Sequence, residues 1–358
     1  MVIRSPFYPN NGPPSASVAR AFLDVPLRAC YNSALPMESQ EAVTLADVQA
    51  AAARLRGVAH VTPIVTSRQL DDVCGARVFL KCENFQRIGA FKFRGAYHAI
   101  LTQPEAQRDR SVVTISSGNH AQGVALACHL LGRQAHLVMY GPDNPLKRQA
   151  VLGYGGTIHD VANLQQAEDD LPDLLARLNG VYIHPFNDPR VIAGQGTAML
   201  ELFEAVPELD VVMAPIGGGG LLSGTCVAAH GLKPSLQLYA CEPTGALDAM
   251  HSVRENRIVP MPQPRTIAEG LRTSVGDVTL PILRRHLAGF FPVEEDEIPP
   301  AMRFVFERLK IVIEASSAVA LAPLLRREAA LVGKRVGVIV TGGNVDFSSF
   351  FANLPRQA

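Results

Sequence analysis

From Arg77 onward, short apolar runs alternate with longer amphipathic ones, and this alternation leaves few folds open. "RVFLKC" reads as a strand before the helix "FRGAYHAILTQ", "SVVTIS" precedes "HAQGVALACHLLG", and "QAHLVMY" precedes "PLKRQAVLGYG". Next, "VYIHPF" leads to "TAMLELFEAV" and "DVVMAPI" to "LLSGTCVAAHGL". "LQLYACE", after a loop-rich segment, leads to "EIPPAMRFVFERLK". "SSAVALAPLLRRE" reads as one more helix and "RVGVIVTGG" as the last strand. Ahead of all these stands the Ala-rich helix "TLADVQAAAARLRGV", its start marked by Thr44 and Asp47 at capping-box spacing. Apolar strands separated by helices pair in parallel, so the fold class is α/β, with helices covering largely parallel sheets. Ligands of such sheets bind beyond the carboxyl ends of the strands.

At 358 residues the chain has room for two domains or one large α/β unit. Its formal net charge of zero offers no general attraction to nucleic acid or to an anionic membrane. No apolar run reaches the ~20 residues of a membrane span. Small-molecule partners are therefore expected. The six cysteines (Cys30, Cys74, Cys82, Cys128, Cys226 and Cys241) are scattered without a CxxC pair. Neither a zinc site nor a disulfide framework is indicated, and a reduced, cytoplasmic setting fits. Residues 1–36 are rich in Pro, Asn and Ser, lack periodicity and hold no signal-peptide core, so they read as a disordered extension.

Chemistry gathers at the junctions between strand and helix. Gly217, Gly218, Gly219 and Gly220 follow a buried strand and open a helix. Converging backbone N–H groups and the helix dipole make such a place a cradle for one terminal phosphate. The spacing matches neither the Walker loop nor the dinucleotide fingerprint. A tight turn without ligand is the competing reading. Ser116, Ser117, Gly118, Asn119 and His120 form a second anion-binding terminus suited to a substrate carboxylate; ordinary helix capping is its alternative. Thr341, before Gly342 and Gly343, brings a hydroxyl to the same sheet edge, though taken alone the stretch reads as a simple turn.

Lys92 stands between Phe91 and Phe93 where a helix begins. The positive end of the dipole disfavours an ammonium there, and two aromatic rings desolvate it. Both effects lower its pKa, and a neutral amine is what imine chemistry requires. A surface lysine at a helix start is the bland alternative. One phosphate cradle, one carboxylate cradle and one activated lysine together suggest pyridoxal phosphate with an amino-acid substrate.

With these motifs in hand, the sequence resembles the fold-type II pyridoxal-phosphate enzymes, in the branch of serine/threonine dehydratases (ammonia-lyases) and serine racemase. The resemblance runs from about Val43 to Phe350 and is carried by "KCENFQRIGAFKFRGA", "SSGNHAQG", "HPFNDPRVIAGQGT", "GGGGLLSG", "CEPTGALD", "TIAEGLRTS" and "TGGNVD", in family order. It implies a tryptophan synthase β-like fold with two domains: a large one from residues 37–105 and 182–358, and a small one from 106–181. Lys92 resembles the Schiff-base lysine and Phe91 would lie against the cofactor ring. Asn119 would bond the phenolic oxygen, and Gly217 to Gly220 with Leu221 would hold the phosphate. Gly270 would line the far face. Thr341 would meet the pyridine nitrogen, where the family usually has Ser. The resemblance further implies a divalent cation, Mg²⁺ or else Ca²⁺ or Mn²⁺, on Glu242, the Ala246 carbonyl and Asp248. It also implies a homodimer.

The chain departs from the family pattern at Ala90, Asn187 and Glu269, where Ser, Asp and Asp are usual. It also lacks an arginine in "ANLQQAEDD". The resemblance implies β-elimination, with Lys92 taking the Cα proton and Ser117 on the opposite face. Threonine or serine is the first expected substrate. A serine racemase and a threo-3-hydroxyaspartate ammonia-lyase are the alternatives.

Overall fold

A computed structural model of the chain describes residues 42–141, 145–346 and 348. The extension 1–36 lies outside the described residues. Among the described residues ten strands form two sheets: β1 (Ile64–Val65), β2 (Arg77–Cys82), β3 (Ser111–Ile115), β4 (Ala135–Met139), β5 (Thr157–Asp160), β6 (Gly180–Tyr182), β7 (Val211–Pro215), β8 (Gln237–Pro243), β9 (Gly289–Val293) and β10 (Arg335–Val340). The larger sheet runs β1-β2-β10-β7-β8-β9 and the smaller β5-β4-β3-β6. Every pairing is parallel except β1 on β2 at the edge. The buried runs of β2, β7 and β10 are why: strands covered on both faces need apolar residues at every position.

Some elements escape the alternation. β5 ("TIHD") and the helix Leu164–Arg177 are polar, and β9 ("GFFPV") carries Gly and Pro. None has the apolar run that marks the other strands, and β5 and β9 are edge strands, where polar residues and Pro are tolerated. The expected helix "SSAVALAPLLRRE" is two short ones, Ala315–Ala318 and Ala322–Leu325. Pro323 has no N–H to continue the ladder. The helix expected over "EIPPAMRFVFERLK" starts at Ile298, runs to Phe304 and then widens into a π-turn, Val305–Leu309.

The helix expected at Thr197 begins at Pro189, capped by the Asp188 carboxylate. Its glycines disguise it in sequence, and packing explains them. A Cβ on Gly194 would lie 2.7 Å from the Arg94 carbonyl, and one on Gly196 would lie 2.7 Å from that of Gly224. The helix Pro189–Ala205 is thus wedged between the helices Lys92–Leu101 and Gly220–Leu232 at backbone distance. Both of those begin at residues singled out above.

Beneath Lys92 lies a buried ionic cluster. Arg94 donates to both Glu83 oxygens (2.7 and 2.9 Å) and both Glu201 oxygens (2.6 and 2.8 Å). Lys81 reaches Glu201 (2.5 Å) and the Thr62 carbonyl (2.7 Å). The cluster ties β2 to the helices Lys92–Leu101 and Pro189–Ala205.

Candidate active site

Lys92 is the first residue of its helix and is half-buried. Its Nζ donates to the Pro185 carbonyl at 2.8 Å and lies 5.2 Å from the Phe91 ring centroid. Desolvation lowers its pKa to about 8, although the charge of Glu314 opposes the shift. An amine so placed has a far larger neutral fraction near physiological pH than an ordinary lysine.

A closed circuit of contacts surrounds this amine. Pro185 leads to Phe186, whose ring would lie 2.4 Å from a Cβ on Gly218. The Gly218 N–H donates to Thr273 Oγ1 (3.1 Å). A Cβ on Gly217 would meet the Gly270 carbonyl at 2.9 Å, and the Gly270 N–H donates to Ser316 Oγ (2.9 Å). Ser317 reaches Thr341 Oγ1 (2.8 Å), and the Thr341 carbonyl accepts from the Phe91 N–H (3.0 Å). The glycine turn, Gly270, Thr341 and Lys92 are therefore brought together. Gly219 has φ +85°, a conformation that favours glycine, and directly precedes the helix Gly220–Leu232. The first N–H groups of that helix, from Gly220 and Leu221 on, have no intrahelical acceptor and suit a phosphate. An amine near neutrality beside such a turn fits pyridoxal phosphate.

The Ser116–His120 terminus is anchored differently from its expected role. Ser117 Oγ donates to the Tyr140 carbonyl (2.5 Å) and accepts from the Tyr140 N–H (2.7 Å). Ser116 Oγ accepts from the Gly118 N–H (3.2 Å). Asn119 Nδ2 donates to both oxygens of Glu314 (2.9 and 3.0 Å), and its Oδ1 accepts from Asn344 Nδ2 (2.9 Å). With one N–H shared by the Glu314 oxygens, the other N–H and a second lone pair on Oδ1 remain for a guest. His120 is 2 % exposed, and neither ring nitrogen has a partner. Burial, with Lys92 and His184 nearby, holds it well below the usual histidine range. The Ile183 backbone opposes that shift, so the buried imidazole stays neutral beside Lys92.

Several residues here went unsingled in sequence. Glu314 sits at the centre, its carboxyl raised by burial and by Glu269, with Lys147 and Asn119 opposing. Its sequence signal is an acid stranded in the apolar run "IVIEASSAVA". His184 Nδ1 accepts from the N–H groups of Phe186 (3.2 Å) and Asn187 (2.8 Å), shaping the turn that meets Lys92. Burial, then Lys92, pushes His184 down to about 4, so the ring stays a neutral acceptor. Lys147 bonds Glu269 (2.7 Å), and Asn187 bonds Asp277 (2.6 Å). Two of the departures noted in sequence are thus engaged within the protein.

The metal candidates lie at the end of β8. Glu242 is buried, and its oxygens accept the N–H groups of Ala249 (2.8 Å) and Met250 (2.9 Å). Asp248 Oδ2 is buried without a partner. Burial raises both carboxyls, and the nearby Asp248 charge raises Glu242 further. Two such acids beside the buried Ala246 fit a hard cation completed by water. Among the described residues no group of three or more His, Cys, Asp or Glu is placed to hold a metal.

Comparison with known proteins agrees with this geometry. The profile of a family described as "Pyridoxal-phosphate dependent enzyme" matches residues 55–342. A serine racemase of Dictyostelium discoideum is 42% identical over 318 residues, covering 87% of this chain and 98% of that protein. A beta-hydroxyaspartate dehydratase of Paracoccus denitrificans is 43% identical over 304 residues, covering 85% and 96%. The structure of a maize serine racemase superposes with a TM-score of 0.84 at 38% identity, covering 87% of this chain and 96% of that one.

Proposed function

This chain belongs to the family of pyridoxal-phosphate dependent enzymes, and from that premise we propose that it eliminates water from a small β-hydroxy amino acid, first L-threonine or L-serine, and takes water back as ammonia is released, leaving a 2-oxo acid. Lys92, Phe91, Asn119, Gly217 to Leu221, Gly270 and Thr341 would hold the cofactor, which when bound supplies an electron-accepting ring conjugated to the substrate Cα. The helix N-terminus at Asn119 and the His120 ring receive the substrate carboxylate. Lys92, its pKa lowered to about 8 by desolvation, accepts the Cα proton in its neutral form. Half-burial around Phe91 and Phe186 limits water at that amine.

One observation favours elimination over racemisation. Racemisation needs a second proton donor on the face opposite Lys92. The Ser117 hydroxyl, the candidate for that face, donates its single proton to the Tyr140 carbonyl. It must break that bond to protonate Cα. Steady-state assays with L-serine, L-threonine and the threo-3-hydroxyaspartates, with chiral analysis of residual serine, test the reading. 2-Oxo acid should form faster than D-serine, and the reverse order rejects elimination.

The second reading, a serine racemase or a threo-3-hydroxyaspartate ammonia-lyase, draws on the relatives: a serine racemase and a beta-hydroxyaspartate dehydratase match over most of their length. Ser117 rotated off Tyr140 serves the racemase. A divalent cation on Glu242, Ala246 and Asp248, and a homodimer, complete the proposal. The five described cysteines are free and buried, in keeping with a cytoplasmic protein. Among the described residues no helix is long and apolar enough to cross a membrane.

A further inference from the structure

We infer that Glu269 is a specificity-determining residue: by neutralising Lys147 at the rim of the site, it turns the site away from substrates with a second carboxylate and toward L-serine and L-threonine. This deepens the elimination proposed above and rests on it. Lys147 is a buried lysine of the helix Pro145–Gly153, and its Nζ donates to Glu269 Oε2 at 2.7 Å. The Glu269 side chain is 56 % exposed, and the residue directly precedes Gly270. The charges of Lys147 and Lys92 both act on Glu314, which in turn accepts from Asn119. The Lys147 ammonium therefore lies beside the space between Lys92 and the helix that begins at Asn119.

A buried ammonium needs an anion beside it. Serine and threonine bring one carboxylate, and the helix N-terminus at Asn119 takes it. A 3-hydroxyaspartate brings a second, for which Lys147 is the cation at hand. To reach it, that carboxylate must displace Glu269, and the displaced acid stays nearby as a like charge. The opposite wall adds to the opposition. Residues 162–170 hold Glu168, Asp169 and Asp170 but no arginine. Glu168 stands beside Tyr140 and Tyr182, and the Tyr140 backbone holds Ser117. Discrimination here is built by opposing the wrong guest rather than by gripping the right one. One substitution should reverse it, because a carboxylate as exposed as Glu269 adds little to its own ion pair.

The experiment uses the full chain loaded with pyridoxal phosphate, as wild type, Glu269→Gln, Lys147→Met and the double variant. Each is assayed with L-serine and with L-threo-3-hydroxyaspartate, and the readout is the ratio of kcat/KM for hydroxyaspartate to that for serine. Glu269→Gln should raise this ratio roughly tenfold, mostly through a lower KM for hydroxyaspartate. Lys147→Met should lower it below wild type. In the Lys147→Met background the gain from Glu269→Gln should shrink, because the two side chains act through each other. An unchanged ratio in Glu269→Gln, or an equal gain in both backgrounds, overturns the proposal. If Lys147→Met does not fold, Lys147→Gln replaces it with the same expectations. Binding of succinate and butyrate, four-carbon acids with two carboxylates and one, is measured alongside by the rise in melting temperature. Glu269→Gln should favour succinate over butyrate more than wild type does. If wild type forms no 2-oxo acid from either amino acid, the elimination reading fails. The pair is then judged by these two acids alone: a gain for succinate in Glu269→Gln supports it, and equal preference in the two proteins overturns it.

Discussion

The amine of Lys92 is held near pKa 8 by desolvation, with Glu314 as the opposing charge. Capture of pyridoxal phosphate by the apoprotein, trapped with borohydride, should therefore show a rate midpoint near pH 8 rather than 10.5. Glu314→Gln removes the charge that favours the ammonium and should lower that midpoint; an unchanged midpoint would separate the two groups. A lysine with a depressed folded pKa weakens the fold while it is charged, so this contribution to apoprotein stability improves as pH rises from about 8 toward 10.5. The acids Glu242 and Asp248 behave oppositely. Their raised pKa values mean that stability is lost as pH climbs above the ordinary carboxylate range. Mg²⁺ should raise the melting temperature more at neutral than at mildly acidic pH, and Asp248→Ala should abolish that rise. Lys92 was legible in sequence because its oddity is local, an ammonium between two rings. Glu314 and Ser317 were not, because their partners Asn119 and Thr341 lie 195 and 24 residues away.

Helix packing sets where the reactive ends point. The helix Pro189–Ala205 spaces the two helices that start at Lys92 and Gly220, through glycines that admit no Cβ. Gly196→Ala should force the Gly220 helix outward, with a loss of about 1–3 kcal/mol in denaturant stability and weaker cofactor retention on dialysis. Retention equal to wild type would show that spacing to be unimportant. The ionic cluster below makes a harder constraint. Burial alone pushes the Glu83 carboxyl up, but Arg94, Thr62 and Lys81 outweigh it and hold it below the usual range. Such a carboxylate stabilises the fold above its ordinary pKa and ceases to as pH falls through the depressed one. Arg94→Met leaves Glu83 unpaired and should cost about 3–5 kcal/mol near neutral pH, measured by urea unfolding. Strand and helix identities were readable wherever apolar periodicity was strong. The start at Pro189 was hidden because glycines chosen for tertiary contact look like loop residues in sequence.

Across the whole molecule, two sheets contribute to one site. The turns after β2, β7 and β10 supply Lys92, the glycines and Thr341, while the turn after β3 in the smaller sheet supplies Ser116 to His120. Asn119 with Glu314 and Asn344, and Lys147 with Glu269, join the sheets there. Lys147→Met should raise KM with a smaller change in kcat, since it loosens the join without touching the proton acceptor. An equal fall in kcat at constant KM would place Lys147 in the chemistry instead. The order of the larger sheet has a consequence for synthesis. β10, the last strand made, lies between β2 and β7, separated from them by more than a hundred residues of chain. A ribosome-bound chain that has not yet released residues 335–340 has no middle to its main sheet, and its exposed flanking strands invite chaperones. Pyridoxal phosphate should therefore bind only once residues 335–340 have joined the sheet, and a chain truncated before Arg335 should fail to retain it on dialysis.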